Sequence, residues 1–130
     1  MVRYGPSMNT LAWVLSGLLA ALYLTAGTLK LAQPKEKLLA TGNMNWVEEF
    51  DGSQLKGIGA VEILGAAGLV LPWALDIAPV LTPFAALGLA VLQAGALRTH
   101  LRRGEKQALP LNVVLLVLAL VVVVLRITQL

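Results

Sequence analysis

Apolar residues in this chain come in four blocks, over about residues 9–32, 53–72, 77–101 and 109–128, rather than at the spacing of half-buried helices or strands. Each block supplies the roughly 20 residues an α-helix needs to cross a hydrocarbon core, so the pattern predicts four membrane-spanning helices. The first block is an apolar run broken by nothing stronger than Gly17 and Gly27. It is longer than the apolar core of a signal peptide and no small-x-small cleavage pattern closes it, so it is read as a span despite Arg3 ahead of it. Ser53 is placed to cap the second span, which Pro72 ends. Asp76 is placed to cap the third, with Pro79 and Pro83 in its first turns. The fourth opens at Leu109 with Pro110, where a missing N–H costs little, and is then nearly pure Val and Leu until Arg126, which is expected to snorkel to the outer surface.

The largest polar segment runs from Gln33 to Gly52. Within it Trp46, Val47 and Phe50 fall on one helical face and Glu48, Glu49 and Asp51 on the other, which predicts a short interfacial helix, either an aromatic anchor or a lid. Small residues crowd the second span (Gly57, Gly59, Ala60, Gly65, Ala66, Ala67, Gly68), and Ala86, Ala90 and Ala94 form a seam on the third. Small residues let helix backbones approach, so the closest contacts are expected between spans 2 and 3, with the fourth span facing lipid or another subunit. No repeat of about 20–50 residues is visible, so tandem duplication is not inferred.

Composition agrees: 58% of residues are hydrophobic and 13% charged, far from the roughly even apolar and one-quarter charged balance of soluble domains. The expected fold is therefore all-α, one integral membrane four-helix bundle over residues 1–130. Cysteine is absent, which excludes disulfides, thiol redox chemistry and Cys-ligated zinc or iron–sulfur clusters within the chain, and the single histidine, His100, cannot supply two haem ligands. No metal site and no covalently bound cofactor is expected. Net charge is +3, but the basic residues sit beside the membrane, where they set orientation, so nucleic-acid binding is not expected. One side carries Lys30, Lys35, Lys37, Lys56, Arg98, Arg102, Arg103 and Lys106, against Arg3 and Arg126 on the other. The positive-inside rule then puts both termini outside and the loops 33–52 and 101–108 in the cytoplasm.

Against this background a few polar residues carry the functional signal. Glu62 lies inside the second span, where a carboxylate near the bilayer centre costs at least ~2.5 kcal/mol, so it needs a partner, a proton or a water-filled cavity. Lys30 is the natural partner, because side chains lean toward their own helix N-terminus and these two lean toward each other from oppositely running helices. Gln93 lies at about the depth of Glu62, while His100 with Arg98 ends the third span and Asn112 sits on the first turn of the fourth. Glu62, Lys30, Gln93, His100 and Asn112 are the candidate ligand-binding set, with no catalytic residue assigned. The rival reading is a buried ion pair that only fixes helix register. Arg102, Arg103 and Lys106 are read as topogenic.

The segments Gly27-Thr28-Leu29-Lys30-Leu31, Asn45-Trp46-Val47-Glu48-Glu49-Phe50, Ile58-Gly59-Ala60-Val61-Glu62-Ile63-Leu64-Gly65, Thr99-His100-Leu101-Arg102-Arg103-Gly104-Glu105 and Leu125-Arg126, in this order and spacing, resemble the DoxX-like family of small four-helix membrane proteins. The resemblance covers nearly the whole chain and implies a four-helix bundle whose motif positions fall on Lys30, Glu62, His100 and Arg126. The family name comes from relatives linked to membrane thiosulfate:quinone oxidoreductases, and other members look like partners of redox enzymes. With no cofactor motif here, a redox role requires a quinone or a partner subunit.

Three functions are in competition. The first is a small membrane subunit whose pocket around Glu62 binds a lipophilic molecule such as a quinone, alone, as a homo-oligomer or with a membrane redox partner. The second is a structural subunit of a larger membrane complex. The third is a lipid-modifying enzyme with Glu62 as acid or base. A ligand-sized cavity beside Glu62 favours the first and third, and a dry, packed interior the second.

Overall fold

The computed structural model describes residues 6–130, so Arg3 lies outside the described residues. Helix α1 spans Pro6–Ala32, α2 Lys35–Ala40, α3 Gly52–Leu75, α4 Leu81–Arg103 and α5 Leu109–Thr128, with a 3-10 turn at Asn45–Glu49 and another at Lys106–Ala108. Among the described residues there is no strand. α1, α3, α4 and α5 are each long and apolar enough to cross a membrane, which makes the chain a multi-pass membrane protein. They pack in a ring, α1 on α3, α3 on α4, α4 on α5 and α5 back on α1. Leu19, Tyr23, Leu69, Ala86, Leu89, Ala119 and Val122 fill the centre. Leu111, Val117, Leu120 and Val124 of α5 point outward, as expected for a lipid-facing helix.

Several helix ends differ from expectation. Asp51, not Ser53, caps α3: its Oδ1 accepts from the Gln54 backbone N–H at 2.7 Å while Gln54 Oε1 accepts from the Asp51 N–H at 3.0 Å, a reciprocal box. Ser53 donates its hydroxyl to the same carboxylate. Pro72 does not end α3, which continues to Leu75. A proline there removes the N–H that would have reached the Gly68 carbonyl, and Thr82 Oγ1 of α4 donates to that carbonyl instead, at 2.9 Å. The freed acceptor thus becomes a cross-helix bond. Asp76 closes α3 rather than opening the next helix, in the left-handed conformation that an Asp tolerates at a helix end (φ 51°). Pro79 consequently lies in the turn before α4, and Pro83 alone is in its first turn.

The tightest helix crossing joins α1 to α3, not spans 2 and 3. A Cβ at Gly27 would lie 2.6 Å from the Gly59 carbonyl oxygen, and one at Gly59 would lie 2.8 Å from that of Gly27. Both glycines are required for this approach. α3 and α4 also meet closely, Gly65 against Leu89 and Gly68 against Ala85, with Ala86 and Ala90 buried. Ala94, expected in the same seam, is exposed, because the helix has turned it past the contact.

Candidate functional site

The α1–α3 crossing sets up the site. One turn beyond Gly27 and Gly59 stand Lys30 and Glu62, and Lys30 Nζ lies 2.7 Å from Glu62 Oε1 with both side chains only 7% exposed. The expected meeting of the two inside the bundle is borne out. No other hydrogen bond to the Glu62 carboxylate is present among the described residues, so it retains acceptor capacity.

Beside the ion pair, a chain of amides crosses the bundle. Tyr23 Oη of α1 donates to Gln93 Oε1 of α4 at 2.8 Å, Gln93 Nε2 donates to Asn112 Oδ1 of α5, and Asn112 Nδ2 donates to the Ala108 carbonyl at 2.8 Å. The Ala108 carbonyl can only accept, which fixes the orientation of both amides and so the direction of the chain.

These groups line a cavity of about 680 Å³ reaching all four spanning helices. On α1 its wall is Tyr23, Ala26 and Lys30, and on α4 it is Gln93, Ala96 and His100. Both sets follow the i, i+3, i+7 rhythm of one helix face, with an alanine in the middle that leaves room between the polar groups. The remaining lining is mostly aliphatic, and Leu22, Val91 and Leu111 at its margin are also exposed on the outside of the bundle. The cavity is thus polar at one end and apolar toward the lipid-facing surface.

The 33–52 segment closes the polar end. Val47 is fully buried against Leu38 and Leu55, a second small core, while Trp46 and Phe50 line the cavity. The Trp46 ring meets Phe50 edge-on at 5.8 Å and His100 at 6.3 Å, and Lys30 Nζ lies 5.6 Å from its centroid. Of the two roles open to this segment, the contacts are those of a lid. α2, within this segment, has no counterpart among the expected elements.

Charges at the end of α4 clasp the lid. Arg102 Nη2 donates to Glu49 Oε1 at 2.6 Å, Arg103 Nη1 to Glu49 Oε2 at 3.1 Å, and Arg103 Nη2 to the Asn45 carbonyl at 3.1 Å. The hydrogen bonds from Arg102 and Arg103 hold the Glu49 carboxyl below the usual carboxylate range. Burial pushes the Glu105 carboxyl up, but hydrogen bonds with His100 and Arg103 outweigh it and leave the group below its ordinary value. Arg102 and Arg103, read as topogenic, thus also have a structural task.

Of the five candidate residues, Glu62, Lys30, Gln93 and Asn112 come together around the cavity. His100 lines its lid end, with Nδ1 2.8 Å from Glu105 Oε1. Arg98 is exposed and takes no part. Tyr23 was missed; its signal was that it is the only tyrosine in the four spans, two turns before Lys30 on the same face. Arg126 does not snorkel: it is fully buried, because Trp13 and Trp73 stack on its guanidinium and Asn9 and Gln129 accept its N–H groups.

A sequence model of the DoxX-like family matches residues 14–122, which takes in Lys30, Glu62, Gln93, His100 and Asn112 and stops short of Arg126. Comparison with curated proteins and with solved structures found no match.

Proposed function

We propose that this chain, which belongs to the DoxX-like family, is a membrane subunit that receives the head group of a lipophilic molecule such as a quinone beside Glu62 and supports a membrane redox system. The observation that carries this reading is the cavity of about 680 Å³ with an ion pair and an amide chain at one end and an apolar, lipid-side margin at the other. Its size is in the range of small-molecule sites, and a structural subunit has no use for such a space. Lys30 offers donors to carbonyl or hydroxyl oxygens of a head group, the Tyr23 oxygen, whose proton goes to Gln93, can accept from a hydroxyl, and Glu62 offers an acceptor that can exchange a proton. The apolar tail leaves past Leu22 and Leu111. The excess of basic residues around the lid places it, in this reading, on the cytoplasmic side with both termini outside. With neither a cysteine nor a cofactor motif in the chain, the electrons of a bound quinone come from or go to a partner.

Trp46 is the built-in reporter, because quinones quench indole fluorescence on contact. Purified protein in nanodiscs, titrated with a short-tailed quinone, should show saturable quenching that Trp46→Phe removes. Glu62→Gln, which keeps shape and most hydrogen bonds, should weaken binding by roughly tenfold or more through loss of the charge. Absence of saturable quenching, or unchanged affinity in a folded Glu62→Gln protein, ends the proposal.

A further inference from the structure

A second buried charge lies at the opposite end of the bundle and the quinone reading does not use it. Arg126, on the last turn of α5, has no solvent exposure. Its guanidinium carbon lies 4.2 Å from the ring centroid of Trp73 on α3 and 5.0 Å from that of Trp13 on α1. Asn9 Oδ1 at 3.0 Å and Gln129 Oε1 at 2.7 Å both accept from the same nitrogen, Nη1. Nε and Nη2 are buried and donate to nothing among the described residues, and Gln129 Nε2 is a third buried donor in the same condition.

The chemistry of these three donors is specific. Nε and Nη2 form one edge of the guanidinium, with two nearly parallel N–H bonds whose separation matches two oxygens of a phosphate or carboxylate. No acidic side chain among the described residues forms an ion pair with Arg126. A buried cation with unmade bonds is costly, and a ligand that only accepts and carries negative charge relieves both costs at once. The tryptophans add two constraints. They hold the guanidinium in plane, and indole rings concentrate at head-group depth, where lipid phosphates lie.

We propose that the Arg126 edge, with Gln129 as an auxiliary donor, is a binding site for a phosphate oxyanion, held between Trp13 and Trp73 at the end of the bundle remote from the lid. The same chemistry serves a phospholipid head group or free phosphate, and the test separates the two. Trp13 and Trp73 report on the site once the third tryptophan is removed, so the full chain carrying Trp46→Phe is purified in maltoside micelles and titrated with phosphatidylglycerol, diacylglycerol or inorganic phosphate while indole emission is followed.

Phosphatidylglycerol should produce a saturable change and diacylglycerol none. Arg126→Lys, which keeps the charge and loses the paired donors, should weaken the response at least tenfold, and Gln129→Ala several-fold. A response to inorganic phosphate at the same amplitude, competing with the lipid, identifies the free anion as a ligand; a response to the lipid alone identifies the head group. The Trp46→Phe protein itself must respond, so a poorly folded Lys variant cannot protect the idea. No saturable response to either phosphate source, or equal responses to phosphatidylglycerol and diacylglycerol, overturns it.

Discussion

Replacing Gly59 by alanine is a one-methyl perturbation whose consequence follows from the α1–α3 crossing. The added Cβ would lie 2.8 Å from the Gly27 carbonyl oxygen and 3.0 Å from Lys30 Cβ, where ordinary contact begins at 3.4 Å. Neither neighbour is the end of a flexible side chain, so the helices must part by roughly half an ångström, a strain of the overpacking kind that costs about 1–3 kcal/mol. Alanine's better helix propensity returns at most about 1 kcal/mol. Gly57, two residues earlier on the same helix, is the control, since a Cβ there meets nothing within 4 Å. Gly57→Ala keeps the propensity gain without the strain and should be neutral or stabilised by up to about 1 kcal/mol. Unfolding of the purified variants in mixed micelles, titrated with SDS, should therefore rank Gly57→Ala above the parent and Gly59→Ala below it. Because Lys30 and Glu62 stand one turn beyond the two glycines, parting the helices also stretches the 2.7 Å ion pair, and quinone quenching of Trp46 should weaken with stability. If Gly59→Ala unfolds no earlier than Gly57→Ala, the close crossing is wrong, and with it the account of how the ion pair is positioned.

The lid clasp should be sensitive to acid. The Glu49 carboxyl lies below its ordinary value when folded, so its contribution is complete above the unfolded value of about 4.3 and disappears as pH falls through the lowered native one. Trp46 emission should hold steady from neutral pH to about pH 4 and change below it, and Glu49→Gln should show the open-lid emission at neutral pH with that transition removed; identical acid profiles would dissociate Glu49 from the lid. For orientation, a cysteine replacing Arg103 should be shielded from a membrane-impermeant thiol reagent in intact cells while one replacing Asp76 reacts, and the opposite pattern would invert the proposed sidedness.

How much of this was legible in the residues depends on what each feature asks of the chain. Four spans follow from local apolar length, because the bilayer fixes the length of any helix that crosses it. Glu62 announced itself by cost, and its pairing with Lys30 followed from the lean of side chains on antiparallel helices, which is a property of the helix and not of the fold. The ends of the spans were less legible. Pro72 reads as a stop until Thr82, fourteen positions from the Gly68 carbonyl's own residue, supplies the bond the proline cannot. Ser53 reads as the cap, yet the helix starts one residue before it and Asp51 takes that place.

Only tertiary structure decided which face of each helix meets which. A span that is apolar all round has no side its own sequence assigns to protein, so its rotation about its axis is set by the neighbours it packs against. Gly57 and Gly59 are equivalent in sequence, yet one is open and the other meets a backbone carbonyl. The same rotation brings Tyr23 to Gln93 and carries Ala94 out of the seam. Arg126 was read as snorkelling because a lone arginine near a span end normally reaches water; it is buried because Trp13 and Trp73, distant in sequence, converge on it from two other helices. Local sequence thus determines that these segments enter the membrane and what polar groups they bring with them. The packing of four nearly featureless cylinders determines where those groups meet.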